Sequence, residues 1–182
     1  MHQDMERVLL TEAQIRDRIR ELGKELMRDY ADKNPIFVGV LKGVVVFYAD
    51  MIRAFDAPCQ LDFMWISSYH GTRSTGHIDV TQDIKSDARG RHVVILEDIV
   101  DSGRSLQYVV RHLRDKGAAS VRICTLLDKP EGRADGITLQ ADYVGFTIPN
   151  AFVVGYGLDY NERYRNLPYV GILKPRVYEN KE

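Results

Sequence analysis

Apolar residues recur along this chain with two different periods. Thr11-Glu12-Ala13-Gln14 carries the Thr and Gln of a capping box, three positions apart. Ile15, Ile19, Leu22 and Leu26 then fall on one helical face with charges opposite. The spacing predicts a first helix that packs through this stripe and carries no chemistry. Residues 36–41 form a continuous apolar run, read as a buried strand. Lys42-Gly43 turns it into a second helical stretch reaching Ile52 and Phe55. Further strands are predicted at 61–67, 92–97, 121–127, 143–148 and 152–154. Leu106, Val109, Val110 and Leu113 repeat at helical spacing, and Gly117 supplies a stop. Strands alternating with helices argue for an α/β fold on a doubly wound, mainly parallel sheet. The polar segment 68–76 has no apolar period and reads as a long loop, the kind that serves as a lid.

The strand predicted at 92–97 ends in the most informative residues. Val93-Val94-Ile95-Leu96 runs into Glu97-Asp98, and Asp101-Ser102-Gly103-Arg104-Ser105 follows. Three carboxylates within five positions of a buried strand are unfavourable without a cation. The Ser102-Gly103 turn exposes N–H groups at the start of a helix, which suits an anion. Ligands of open α/β sheets bind beyond the carboxyl ends of strands. This corner can therefore hold a phosphorylated sugar together with its Mg²⁺, the alternative being a capped helix with solvated acids. Leu41-Lys42-Gly43 makes a second strand-to-helix turn, where Gly admits close backbone approach and Lys adds positive charge. Alone, that turn fits a solvated surface lysine equally well. Leu127-Asp128-Lys129 ends another strand, and Phe152-Val153-Val154 leads through two glycines to Asp159. An aromatic face with a cationic donor suits a flat, carbonyl-bearing heterocycle, though a core Phe and an ion-paired Lys fit as well.

Composition narrows the classes. At 182 residues, 45% hydrophobic and 28% charged, the chain reads as one soluble globular domain. Its net charge of −1 offers no basic surface for nucleic acid. Cys59 and Cys124 sit in apolar runs and read as reduced thiols. The N-terminal residues lack the regions of a signal peptide. No apolar run approaches the roughly 20 residues of a membrane span, so a cytoplasmic protein with no membrane partner is expected. Dinucleotide, Walker, zinc and nucleophile-elbow signatures are missing. His77 and His112 read as surface or structural.

From about residue 41 to 173 the chain resembles the hypoxanthine-guanine phosphoribosyltransferase family, and its N-terminal helix agrees. Five segments carry the resemblance in order: Leu41-Lys42-Gly43; Ser68-Tyr69; Glu97 through Ser105; Leu127-Asp128-Lys129; and Phe152 through Asp159 with Arg165. The resemblance implies a single domain, 1–182, with a type I phosphoribosyltransferase core at about 34–150 and a hood from about 1–12 and 151–182. It implies transfer of 5-phosphoribose from phosphoribosyl pyrophosphate to N9 of hypoxanthine or guanine, with Mg²⁺ as cofactor. By position, Glu97 and Asp98 would serve the ribose hydroxyls and metal, and Asp101 would be the general base facing N7. Ser102, Gly103, Arg104 and Ser105 would cradle the 5′-phosphate, while Lys42, Gly43 and Arg165 would meet pyrophosphate. Lys129 would donate to the purine O6, Phe152 would stack on the ring, and Val153 would touch it through its backbone. Asp159 would help bind a second Mg²⁺ beside the purine site. Ser68 and Tyr69 would belong to the lid, where His70 stands in place of the Gly of many relatives. A homo-oligomer, dimer or tetramer, is also implied. A nucleotide-binding regulator of RNA or DNA on the same fold is the alternative from another class, and near-neutral charge argues against it. A transferase for xanthine or another base is the alternative within the class. Lys129 and Phe152 favour a 6-oxopurine.

Overall fold

Strand order in the central sheet departs from chain order at one place, and that place positions the functional corner. The computed structural model describes residues 1–68 and 78–179. Tyr69, His70, His77 and most of the expected lid lie outside the described residues, as does the side chain of Ser68. The strands are β1 (Met5–Leu10), β2 (Ile36–Leu41), β3 (Gln60–Ser68), β4 (Ile78–Gln82), β5 (His92–Val100), β6 (Ser120–Asp128), β7 (Tyr143–Thr147), β8 (Val153–Val154) and β9 (Val170–Leu173). The helices are α1 (Glu12–Tyr30), α2 (Val45–Ala54), α3 (Arg104–Asp115) and a short α4 (Pro175–Tyr178).

Six strands form one sheet in the order β4-β3-β2-β5-β6-β7, parallel except for β4. From β2 the chain steps outward to β3, then returns to the other side of β2 for β5, β6 and β7. The reversal between β2 and β5 is a topological switch point, where the connections diverge and leave a crevice at the carboxyl ends. Both faces of the sheet are covered, so its central strands are apolar throughout. Phe37, Leu96 and Leu126 pack with Ile15, Leu22 and Leu26 of α1 and Phe47 of α2. Ile36, Val38, Val93 and Ile95 pack with Leu106, Val109 and Leu113 of α3. The capping box forms as read: the Gln14 N–H donates to Thr11 Oγ1 at 3.3 Å and the Thr11 N–H to Gln14 Oε1 at 2.9 Å.

Strand β5 continues to Val100 instead of stopping at Glu97. Its pairing with β2 ends at Gly39–Leu96, but its pairing with β6 persists through Glu97–Thr125, Ile99–Leu127 and Val100–Asp128. The acid pair thus lies on a strand that has lost its neighbour on one side. Strands β1, β4 and β9 are additions to the sequence reading. β1, β9 and β8 build a separate antiparallel sheet that joins the two chain ends, from Met5–Leu173 to Leu10–Val170. Both cysteines are free thiols, Cys124 buried and Cys59 half-buried, and burial raises the pKa of each. His112 is structural, its Nε2 lying 3.0 Å from Asp83 while its ring stacks on Tyr108. No helix among the described residues is long and apolar enough to cross a membrane.

One buried acid anchors the connection into β5. Asp62 accepts N–H groups from Phe63 at 2.8 Å, Lys85 at 2.9 Å and Ser86 at 2.7 Å. Burial pushes its pKa up, but these bonds, with Ser86 foremost, outweigh burial and hold the carboxyl below its usual range. Asp62→Ala strands the Lys85 and Ser86 donors and is expected to destabilise the fold by about 2 kcal/mol. The check is the denaturant midpoint at constant slope. Because the folded-state pKa is lowered, the ionic contribution is full above about pH 3.9 and is lost as pH falls through the folded value. The gap between wild type and variant should therefore narrow in acid; an unchanged gap would contradict this assignment.

Candidate active site

The carboxyl ends of β2 and β5 enclose a cleft of about 280 Å³ at the switch point. β2 leads Lys42 and Gly43 into it, β5 contributes Glu97 and Asp98, and the turn into α3 contributes Asp101, Ser102, Gly103 and Ser105. Closeness of the two turns depends on Gly43. A Cβ there would stand 1.8 Å from Asp98 Oδ2, so any side chain would push the buried acid away. The Leu41–Lys42 peptide is cis, and Lys42 Nζ lies 3.2 Å from the Glu162 carboxylate. Gly103 occupies the N-cap of α3 with φ 76° and has no side chain to cap the helix. Its first-turn N–H groups therefore lack a side-chain cap, an arrangement that suits an anion.

Electrostatics divide the cleft in two. Glu97 and Asp98 are adjacent, Asp98 buried and Glu97 half-buried. Burial pushes the Glu97 carboxyl well above its usual range, with the Asp98 charge adding to the rise. Burial likewise raises Asp98, against hydrogen bonds that include the Ile99 N–H at 2.8 Å from its Oδ1. Both carboxyls would release protons more readily beside a cation. Asp101, which also lines the cleft, forms an ion pair with Lys129 behind it, Nζ lying 2.7 Å from Oδ2, the ammonium buried and the carboxylate half-exposed. Neighbouring strand ends bring them together, because Val100 pairs with Asp128 and the Lys129 N–H donates to the Val100 carbonyl at 3.0 Å.

Other expected site residues are attached differently. Arg104 lines a separate groove along α3. Arg165 pairs with Asp159 at 2.8 Å and donates to the Gly157 carbonyl at 2.8 Å. A Cβ at Gly157 would lie 2.0 Å from the Gly43 carbonyl, so this turn abuts the cleft rim and brings Asp159 and Arg165 to it. Arg165 Nε is buried with no hydrogen-bond partner among the described residues. Phe152 is 40% exposed, and its ring stacks on Tyr178 with centroids 4.8 Å apart. Val153 is buried and pairs with Ile172. Among the described residues no cluster of three or more His, Cys, Asp and Glu side chains forms a metal cage. Sequence reasoning missed Glu162, Arg133 and Gly132, the last of these ending a three-residue 3-10 helix (Pro130–Gly132), segments too short or irregular for a periodic signal.

Comparison with known proteins identifies the family. Residues 9–161 match the phosphoribosyl transferase domain family. A bifunctional protein TilS/HprT from Listeria innocua is 51% identical over 179 residues, 98% of this chain, and the chain spans 27% of that relative's length. A hypoxanthine-guanine phosphoribosyltransferase from Bacillus subtilis is 50% identical over 181 residues, covering 99% of both chains. A crystal structure of a hypoxanthine phosphoribosyltransferase from Staphylococcus aureus superposes with TM-score 0.94 at 47% identity, over 99% of this chain and 97% of that one.

Proposed function

This chain belongs to the phosphoribosyl transferase domain family, and we propose that it is a purine salvage enzyme. In this reading it moves 5-phosphoribose from phosphoribosyl pyrophosphate to N9 of hypoxanthine or guanine and releases pyrophosphate. The observation that carries the reading is the Lys129–Asp101 pair, 2.7 Å apart, beside an uncapped helix start and a pair of adjacent acids. A buried ammonium donates to a carbonyl O6, and a half-exposed carboxylate next to it can take a proton from N7.

Each remaining residue has work that its surroundings support. The N–H groups from Ser102 to Ser105 hold the 5′-phosphate on the dipole of α3. Glu97 and Asp98 accept hydrogen bonds from the ribose hydroxyls. Lys42, the Gly43 backbone and Arg165 take the pyrophosphate, and the unpartnered Arg165 Nε is a donor left over for such an anion. Phe152 stacks on the purine, Val153 meets its edge through main-chain atoms, and the β1-β9-β8 sheet that carries them serves as a hood. Mg²⁺ keeps several waters and is held by one or two carboxylates plus substrate phosphates rather than by a full protein cage. Adjacent Glu97 and Asp98 fit that donor set, and Asp159 fits a second one. When bound, the metal would neutralise charge on the departing pyrophosphate.

The acid pair gives a direct test. Glu97→Gln/Asp98→Asn removes two charged acceptors, each worth about 1.5–3 kcal/mol. The expected result is a rise of about tenfold or more in the KM for phosphoribosyl pyrophosphate, with the KM for purine little changed. Unchanged affinity for phosphoribosyl pyrophosphate would remove these acids from the sugar site.

A further inference from the structure

Asp101 and Lys129 stand on different loops, and one other side chain ties the backbones of those loops together. Nη1 of Arg133 donates to the carbonyl oxygens of Val100 at 2.7 Å, Asp101 at 2.8 Å and Lys129 at 3.1 Å. Its Nη2 pairs with the Asp128 carboxylate, and both side chains of that pair are only 15% exposed. The guanidinium therefore bonds at once to the end of β5 and to the end of β6. Its planar fork is rigid, so it fixes a separation where a flexible cation would not. The preceding residue keeps the space clear. A Cβ at Gly132 would lie 1.9 Å from Asp101 Oδ1 and 3.0 Å from Lys129 Cε.

We propose that Arg133 is a positioning residue for base selection. It sets the distance between the Asp101 and Lys129 main chains so that the carboxylate can face N7 while the ammonium faces O6 of the same purine. This inference rests on the proposed 6-oxopurine transfer, and neither Arg133 nor Gly132 touches the substrate in it. Lysine cannot replace Arg133, because a single nitrogen placed on the three carbonyls that Nη1 reaches leaves no second donor held toward Asp128, which Nη2 supplies.

The test is the ratio of kcat/KM for hypoxanthine to that for adenine, measured in wild type and in Arg133→Lys. A merely structural defect lowers the amount of active enzyme and leaves both this ratio and the purine KM unchanged. Misplacement of the pair raises the KM for hypoxanthine and should lower the ratio by about tenfold or more, given the sensitivity of oriented groups to small displacements. If Arg133→Lys does not fold, Asp128→Asn loosens the charged anchor of the same guanidinium and should move the ratio in the same direction. An unchanged ratio in the folded variant, with wild type still preferring hypoxanthine, overturns the Arg133 role alone. A wild type with no preference for hypoxanthine overturns the proposed function, and the Arg133 role with it.

Discussion

Asp101→Asn is expected to lower kcat by about 100-fold or more, the usual scale of general acid–base catalysis, with the affinity for phosphoribosyl pyrophosphate nearly unchanged. Asp101 is half-exposed at the cleft and pairs with Lys129 at 2.7 Å. Asparagine preserves size and an acceptor oxygen but cannot take a proton at neutral pH. The variant also leaves the buried Lys129 ammonium without its anionic partner, which is unfavourable in its own right. These two consequences separate in the kinetics. Loss of the ion pair alone would change the purine KM, whereas loss of the base lowers kcat at saturating purine. Near-full turnover at saturation would show that Asp101 only balances the charge of Lys129.

Lys129→Ala should lower kcat/KM for hypoxanthine and guanine by at least about 100-fold, since it removes a charged donor from a buried carbonyl site. The ion pair bears on why adenine should be a poor substrate under the proposed function. Adenine would not leave the ammonium without any partner, because Asp101 remains beside it. Discrimination comes instead from two donors facing each other, the ammonium and the 6-amino group, neither able to accept. Lys129→Gln offers both a donor and an acceptor, so it should narrow the preference for hypoxanthine over adenine. If Lys129→Ala kept its rate with hypoxanthine, the O6 contact would have to come from another residue.

Much of the architecture was legible because the signals were local. Thr11 and Gln14 announce α1 through a bond between near neighbours, and the Leu106–Val109–Val110–Leu113 stripe is a contact list for one face of α3. The acid pair was found for the same reason, since burial and charge collide within a few residues at Leu96-Glu97-Asp98. Its exact setting was not legible. That β5 runs on to Val100 depends on β6 continuing after β2 has turned away, a property of three strands together. Strands β1 and β9 were missed because β1 is exposed along its middle, unlike the equally long β2, because β9 is only four residues, and because their pairing joins opposite chain ends. Arg133 was invisible in the same way. Its neighbours in sequence read as an irregular loop, and its bonds to Val100 and Asp101 exist only once two strand ends are side by side.

The central claim, transfer of 5-phosphoribose to a 6-oxopurine, is tested most directly by one steady-state comparison. Purified protein is supplied with phosphoribosyl pyrophosphate, Mg²⁺ and, in separate reactions, hypoxanthine, guanine, xanthine or adenine, each repeated with excess chelator. Nucleotide and pyrophosphate should form with hypoxanthine or guanine, adenine should be disfavoured by about 10⁴-fold, and chelator should abolish the reaction. Efficient turnover of adenine, or no nucleotide from any of the four bases, would contradict the account.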